Sequence, residues 1–263
     1  MTKINIGLIG VGRIGQRHVR IIASQVEGAQ LYAIAEPHRA TREVFAASVN
    51  PAPQHVFEDW QEMVNRPDID AMVICTPTSI HHDHVAGAAE AGKPILCEKL
   101  LALEVSTTQA TIAAADKAHV PLQVGFMRRF DALQRRMREI IQSGAIGTPV
   151  MRKMSGRDNG RPCTEFASPA VSGGLLIDMA IHDLDQARFL MGDEGVRVSA
   201  EDTLMVGENI RAVGDIDNVV VNLRFASGAI GNLDVSRTSF YGDDFPYEVL
   251  GAAGLGRPFI CQC

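Results

Sequence analysis

The residues of this chain whose types and spacing could do chemistry begin with three glycines. Gly10, Gly12 and Gly15 form a Gly-x-Gly-x-x-Gly run between an apolar stretch and an amphipathic one. In that context the first glycine permits a tight turn, the second lets the backbone approach a pyrophosphate, and the third lets helix and strand pack closely. The helix that follows offers free N–H groups to the anion. The spacing therefore predicts a dinucleotide site, with an ordinary strand-to-helix turn as the alternative.

An acidic residue supports that interpretation. Glu36 ends the next apolar run, 21 residues after Gly15, near the spacing at which a carboxylate meets the adenosine ribose. A carboxylate accepts hydrogen bonds from a 2′-hydroxyl and repels a 2′-phosphate, so NAD is favoured over NADP. Arg39 lies close enough in sequence to soften that preference.

Asp178 and His182 are a second chemical pair, in a segment with a helical pattern. Residues four apart share a helical face, where a carboxylate can orient an imidazole and fix its tautomer. A histidine near its ordinary pKa can take a hydroxyl proton at neutral pH, as the oxidation of an alcohol requires. Asp183 and Asp185 should lie on other faces. On spacing alone, an incidental pair on a helix is the alternative.

Glu98 and Lys99 follow another apolar run. Taken alone, such a pair is typical of a solvated loop. In an open α/β sheet, however, ligands bind outside the carboxyl ends of the strands, which is where these two residues would lie.

The elements that must position these residues differ between the two halves of the chain. Up to about residue 125, short apolar runs alternate with helical patterns, which indicates a doubly wound parallel sheet of the Rossmann type. Beyond residue 148 longer alternating segments follow, with a hairpin turn at Ser227–Gly228 and one helix from about Leu175 to Met191. We therefore predict an NAD-binding domain over 1–125 and an α+β domain with a largely antiparallel sheet over 126–263.

Composition excludes several classes of protein. The net charge of −6, from 25 basic and 31 acidic residues, gives no basic surface for nucleic acid. No stretch approaches the length of a membrane span, and the N-terminus begins directly with a strand pattern, so we expect a cytoplasmic protein. The five cysteines form no CxxC pair, and Cys75 and Cys97 should be small core residues. His81, His82 and His84 have no complementary ligand cluster nearby in sequence, and we expect no metal.

Three ordered motifs resemble the Gfo/Idh/MocA oxidoreductases. They are GVGRIG at 10–15, TPTSIHHDHVAGAAEAGKPILCEK at 76–99 and GGLLIDMAIHDLDQARFLMG at 173–192. The resemblance implies NAD-dependent oxidation of a ring secondary alcohol of a cyclic polyol, most specifically myo-inositol to its 2-keto product. It leaves open another sugar or scyllo-inositol, and from another class a non-catalytic dinucleotide-binding protein or inactive remnant.

The resemblance also assigns residues. Lys99 corresponds to the family's active-site lysine, Asp178 to its motif aspartate and His182 to its general base. The segments GFMRRFD at 125–131 and GRD at 156–158 imply substrate contacts from Arg128 and Asp158, with plain surface charge as the alternative. The full set predicted to bind NAD is Gly10, Gly12, Arg13, Ile14, Gly15, Glu36, Thr76 and Glu98.

The chain departs from the family pattern in two places. Leu100 stands where the family has proline, so we expect a looser backbone at Lys99. The last residues, LGRPFICQC, show no strand or helix pattern where the family continues, so we expect a truncated second domain. The family associates through the open sheet face, which implies a homo-oligomer, a tetramer in the family.

Overall fold

The chain divides into two compact units, Met1–Gly125 and Phe126–Cys263. This computed structural model describes residues 3–48, 54–160 and 163–257. Residues 258–263 of the predicted patternless tail LGRPFICQC, with Cys261 and Cys263, lie outside the described residues. That the second unit binds substrate and makes subunit contacts stays a prediction.

The first unit alternates strands and helices. Its strands are β1 Ile4–Ile9, β2 Ala29–Ala35, β3 His55–Phe57, β4 Ala71–Ile74, β5 Ile95–Cys97 and β6 Leu122–Val124. Its helices are α1 Arg13–Gln25, α2 Arg39–Ser48, α3 Trp60–Val64, α4 His81–Glu90 and α5 Val105–Lys117. The six strands form one parallel sheet in the order β3-β2-β1-β4-β5-β6. The prediction of a doubly wound Rossmann sheet is confirmed, and its switch point lies between β1 and β4.

Both faces of this sheet are covered, which is why its strands read as continuous apolar runs. Leu8 of β1 is buried in a cluster with Val19 and Ile22 of α1. Ile9, the next residue, is buried in a separate cluster with Val85 of α4. Because successive strand residues point to opposite faces, the two clusters lie on the two sides of the sheet.

The second unit contains a mixed sheet and several helices. Its strands are β7 Pro149–Arg157, β8 Gly195–Thr203, β9 Asn218–Phe225, β10 Ile230–Ser236, β11 Tyr247–Gly251 and β12 Leu255–Gly256. Its helices are α6 Ala132–Gln142, α7 Thr164–Ala167, α8 Pro169–Ser172, α9 Ile181–Met191 and α10 Glu208–Arg211. The strand order is β12-β11-β7-β10-β9-β8.

Most pairs of the second sheet are antiparallel, and β7 with β10 is parallel. The predicted largely antiparallel domain is confirmed, as is the hairpin at Ser227–Gly228, which joins β9 to β10. One face packs on α6 and α9 through residues such as Met137, Leu190 and Leu233. This core supports the helix that contains His182.

Two local expectations differ from the structure. The single helix from Leu175 is interrupted, because Leu175–Ala180 forms a π-helical turn before α9 begins. The end of the chain was expected to lack strand structure, yet β12 pairs with Val249 and Leu250. This strand has only two paired residues, and an alternating sequence pattern cannot reveal so short a strand.

No helix in the described part of the chain is long and apolar enough to cross a membrane.

Candidate functional site

The glycine turn between β1 and α1 contains two positions where the fold itself excludes a side chain. Gly10 has a φ of +89°, and an added Cβ would lie 2.9 Å from Thr76 Cγ2. A Cβ on Gly15 would lie 1.9 Å from the Gly10 carbonyl oxygen. At Gly12 an added Cβ would meet no atom of the described residues within 4 Å. The fold therefore explains two of the glycines, whereas packing of the described residues does not require the third, and a role of Gly12 beside the pyrophosphate stays a prediction.

The first turn of helix α1 follows directly after Gly12 of this glycine-rich turn. Arg13 and Ile14 are its first residues, and the N-cap residue, Gly12, has no side chain with which to cap the helix. Their N–H groups lack acceptors one turn earlier in the helix, as at every helix N-terminus. Such groups, with the helix dipole, suit the pyrophosphate of a dinucleotide.

Glu36 lies one residue beyond β2, beside the glycine turn. Its carboxylate accepts the N–H of Val11 at 3.1 Å and that of His38 at 3.1 Å. These bonds hold the acid at the carboxyl end of the sheet, where the adenosine ribose would lie. Arg39 donates to Glu43 at 2.7 Å on the exposed side of α2. Residues of the first unit thus fit NAD, with a carboxylate for a free 2′-hydroxyl.

Thr76 and two histidines connect the loops after β4 and β5. Thr76 Oγ1 shares a hydrogen bond of 2.9 Å with His84 Nδ1, and its carbonyl accepts from His81 Nε2 at 2.7 Å. His81 Nδ1 contacts the Leu100 carbonyl. Leu100, expected to loosen the backbone at Lys99, is thus held by a buried imidazole. Among the described residues, no three histidine, cysteine or acidic side chains come together as metal ligands.

Glu98, predicted to contact the cofactor, is bound by a residue that sequence reasoning missed. His18 of α1 donates through Nε2 to Glu98 Oε1 at 2.7 Å, and the Lys99 N–H points to Glu98 Oε2 at 3.3 Å. Burial alone would raise the pKa of Glu98, but the hydrogen bond and charge of His18, with smaller contributions from Lys99, leave it below its ordinary value. The carboxylate is therefore ionised and fixed next to Lys99. Contact with NAD stays a prediction for Glu98.

Glu98→Gln should destabilise the unliganded protein by about 1 kcal/mol at pH 7, because the amide loses the charge-assisted bond to His18. A lowered folded pKa contributes stability above the ordinary value of 4.5, and this contribution disappears as the pH falls through the folded pKa. Urea unfolding of both proteins from pH 7 to below 4.5 would show the difference shrinking in acid. Glu62→Gln, at an exposed position of α3, is the control. A difference independent of pH would contradict the prediction.

The predicted pair Asp178 and His182 lies at the junction of the π turn and α9. Asp178 belongs to the π turn, and its Oδ2 contacts Arg237 Nη2 at 3.4 Å. His182 lies in the first turn of α9, with its ring edge-on to Phe126 at a centroid distance of 6.4 Å. π-type turns occur frequently at functional sites. Because a π turn is wider than an α-helical turn, the prediction that Asp178 and His182 share one α-helical face is inexact.

Arg128, predicted to bind substrate, contacts side chains of its own unit. Its Nη1 contacts Asp183 Oδ1, and its guanidinium lies 4.7 Å from the centre of the Phe245 ring. Asp183 is fully buried, and burial raises its pKa even though Arg128 opposes the shift. Arg128 therefore stabilises a buried carboxylate adjacent to His182. Direct contact of Arg128 with substrate stays a prediction.

Asp158, the other predicted substrate residue, follows β7. Its N–H donates to Ser236 O at 3.0 Å and its carbonyl accepts from Ser239 N at 3.2 Å, so its backbone is fixed between two segments. The residue is exposed, yet desolvation of its carboxyl and the nearby charge of Asp243 raise its pKa. A carboxyl in this setting can accept a hydrogen bond from a substrate hydroxyl.

Sequence reasoning missed His18 and Arg237, which contact predicted site residues, and considered His81 only as a metal ligand, although it contacts Thr76. The contacts of His18 and Arg237 span 80 and 59 residues of sequence. No local spacing signals such pairs. For Arg237, a lone arginine directly after a strand of alternating apolar and polar residues was the available hint.

Comparison with known proteins identifies both units. Residues 4–126 match the oxidoreductase family with an NAD-binding Rossmann fold, and residues 134–255 match the GFO/IDH/MocA C-terminal domain. The chain is 37% identical to a myo-inositol 2-dehydrogenase of Thermotoga maritima over 251 residues, which are 95% of this chain and 74% of that protein.

Two further relatives are named for a different stereoisomer. The chain is 37% identical to the scyllo-inositol 2-dehydrogenase (NAD(+)) of Bacillus subtilis over 252 residues, 96% of this chain and 72% of that one. The crystal structure of scyllo-inositol dehydrogenase from Lactobacillus casei with bound NAD(H) and scyllo-inositol superposes with a TM-score of 0.89 and 29% identity, covering 99% of this chain and 77% of that one. The chain therefore belongs to the GFO/IDH/MocA oxidoreductase family and is an NAD-dependent enzyme of that family.

Proposed function

We propose that this enzyme oxidises a ring secondary alcohol of a cyclic polyol, with myo-inositol giving the 2-keto product as the first substrate to test. The observation that supports the proposal is that Asp178 lies in the π turn and His182 in the first turn of α9, which follows it directly. The relatives named for myo-inositol and scyllo-inositol support the substrate class. Scyllo-inositol is the alternative substrate, because relatives named for each isomer are 37% identical to this chain.

The proposal assigns a separate task to each residue. When bound, NAD accepts the hydride from the alcohol carbon. His182 takes the hydroxyl proton, and we assign this step to Nε2 because Nδ1 is buried. Asp178 orients the imidazole, and Lys99 donates a hydrogen bond to the reacting oxygen as negative charge develops there. Arg128 and Asp158 are proposed to contact the remaining hydroxyls.

The direct test is NADH formation with purified protein, NAD and each of myo-inositol, scyllo-inositol and a set of open-chain and pyranose polyols. An NAD-binding titration runs beside it. We expect turnover with at least one inositol and a clear preference over open-chain polyols. Binding of NAD without turnover on any of these polyols would contradict the proposed substrate class.

We propose further that the enzyme is a homo-oligomer in which the outer face of the second sheet meets another copy. Every residue of the edge strand β8 is exposed, and on the face opposite the α6 and α9 core Val220 and Ile230 are 43% and 40% exposed. A sheet face and edge of this kind are usually covered by a partner.

Val220→Asp should therefore convert the assembly to single chains, because a carboxylate would be buried in the contact. Light scattering after size-exclusion chromatography measures the mass. Val44→Asp, at an exposed valine of α2, is the matched control and should leave the assembly intact. A wild-type protein that elutes as a single chain would refute the proposal.

A further inference from the structure

The predicted catalytic carboxylate of the second unit, Asp178, belongs to a largely buried set of ion pairs with Arg237 and Asp215. Arg237 directly follows β10, and only 3% of its surface is exposed. Its Nη1 donates to Asp215 Oδ2 at 2.9 Å, and its Nη2 contacts Asp178 Oδ2 at 3.4 Å. A guanidinium with so little access to water requires charged or hydrogen-bonding partners. The two carboxylates therefore determine where the arginine side chain lies.

The two carboxylates differ in distance and exposure. The Asp215 side chain is 9% exposed and closer to the arginine, whereas the Asp178 side chain is 18% exposed and further away. Asp215, which makes the shorter and more buried contact, therefore anchors the arginine side chain. Asp178 is therefore the more exposed of the two carboxylates, and one positive and two negative groups give the three side chains a single net negative charge.

Asp215 has a second contact that connects it to the π turn. Its Oδ2 accepts the N–H of Leu175, the first residue of that turn, at 2.9 Å. The preceding residue, Gly174, has a φ of +74°, and an added Cβ would lie 2.5 Å from Asp215 Oδ1. The absence of a side chain at Gly174 thus permits the close approach. Asp215 fixes both the start of the turn that contains Asp178 and the arginine that contacts Asp178.

We propose that Arg237 is a positioning residue for the oxidation: anchored by Asp215, it holds the Asp178 carboxylate in the orientation required for its action on His182. Arg237 acts through Asp178 and does not touch the reacting atoms. The inference rests on the proposed function for the role of Asp178. A purely structural role, in which Arg237 only neutralises buried Asp215, is the competing account.

Three variants separate these accounts. The double variant Arg237→Met with Asp215→Asn removes both buried charges, while the new amide still offers an oxygen to the Leu175 N–H, so we expect the fold to be retained. Arg237→Lys keeps the charge but cannot reach both carboxylates with the fork of a guanidinium. Arg188→Met with Glu194→Gln removes an exposed ion pair of the same unit and is the matched control.

We expect the double variant to lose about 10²-fold in kcat while NAD affinity is unchanged, since displacements near 1 Å have effects of that size. Arg237→Lys should fall between it and the wild type, and the control should keep full turnover. Added to Asp178→Asn, the double substitution should cause no further loss, because both changes disable the same group. Full turnover, or an equal further loss on the Asp178→Asn background, would overturn the proposal.

Crystal structures give a readout that does not depend on knowing the substrate. In the double variant the Asp178 carboxylate should move by about 1 Å or more relative to the wild type. An unmoved carboxylate would overturn the positioning role even if every polyol assay failed. Absence of wild-type turnover on polyols with a displaced carboxylate would instead reject the proposed substrate and leave the positioning role standing.

Discussion

Replacement of His182 by glutamine should lower kcat by about 10²- to 10⁴-fold and leave NAD affinity within about twofold of the wild type. Glutamine retains most of the side-chain volume in the first turn of α9, so the contact with Phe126 is disturbed little. It cannot accept a proton at neutral pH, and the hydroxyl proton of the substrate then has no base to receive it. Steady-state assays with the best polyol, together with an NAD titration, measure both quantities.

His55→Gln is the matched control for that experiment. His55 lies in β3 of the first unit, where it contacts Tyr32, and no role in the reaction is assigned to it. The same chemical change there should leave kcat unchanged. If His182→Gln kept full turnover, His182 would not be the general base, and another group would have to take the proton.

The second large effect is a contrast between two glycines of the same turn. Gly12→Ala should fold with unchanged stability and raise the Kd for NAD by at least about tenfold, because the added methyl group meets only open space until the pyrophosphate binds. Gly15→Ala should destabilise the first unit by about 3 kcal/mol or more, because its Cβ would lie 1.9 Å from the Gly10 carbonyl oxygen.

Thermal unfolding and NAD titration of both variants test this contrast. Gly28→Ala, which precedes β2 and has open space around its added Cβ, is the control and should change neither quantity. Loss of stability in Gly12→Ala would show that the fold, and not the ligand, requires that glycine. Normal NAD affinity in Gly12→Ala would place the pyrophosphate elsewhere.

The sequence by itself determined the parts of this protein that depend on short-range pattern. Continuous apolar runs between amphipathic segments predict a parallel sheet covered on both faces, and the structure has one. The glycine spacing and Glu36 predicted NAD, which family membership confirms. The hairpin at Ser227–Gly228 followed from alternation on both sides of a turn. In each case the physical cause acts within one strand, one helix or one turn.

The helix around His182 shows where such patterns stop being sufficient. Helical periodicity indicated one continuous helix from Leu175. In the structure this segment begins with a π turn, and the N–H of its first residue donates to Asp215. Asp215 is 40 residues further along the chain. An i, i+4 spacing assumes an α-helix, so it could not show how Asp178 is held.

Tertiary structure alone decided which charged groups stabilise the predicted site residues. His18 binds Glu98 beside Lys99, Arg128 contacts Asp183 next to His182, and Arg237 joins Asp178 to Asp215. These pairs form because burial makes an uncompensated charge costly, so each carboxylate takes the nearest available cation in space. Proximity in space arises from strand order and helix packing, which a linear pattern does not encode.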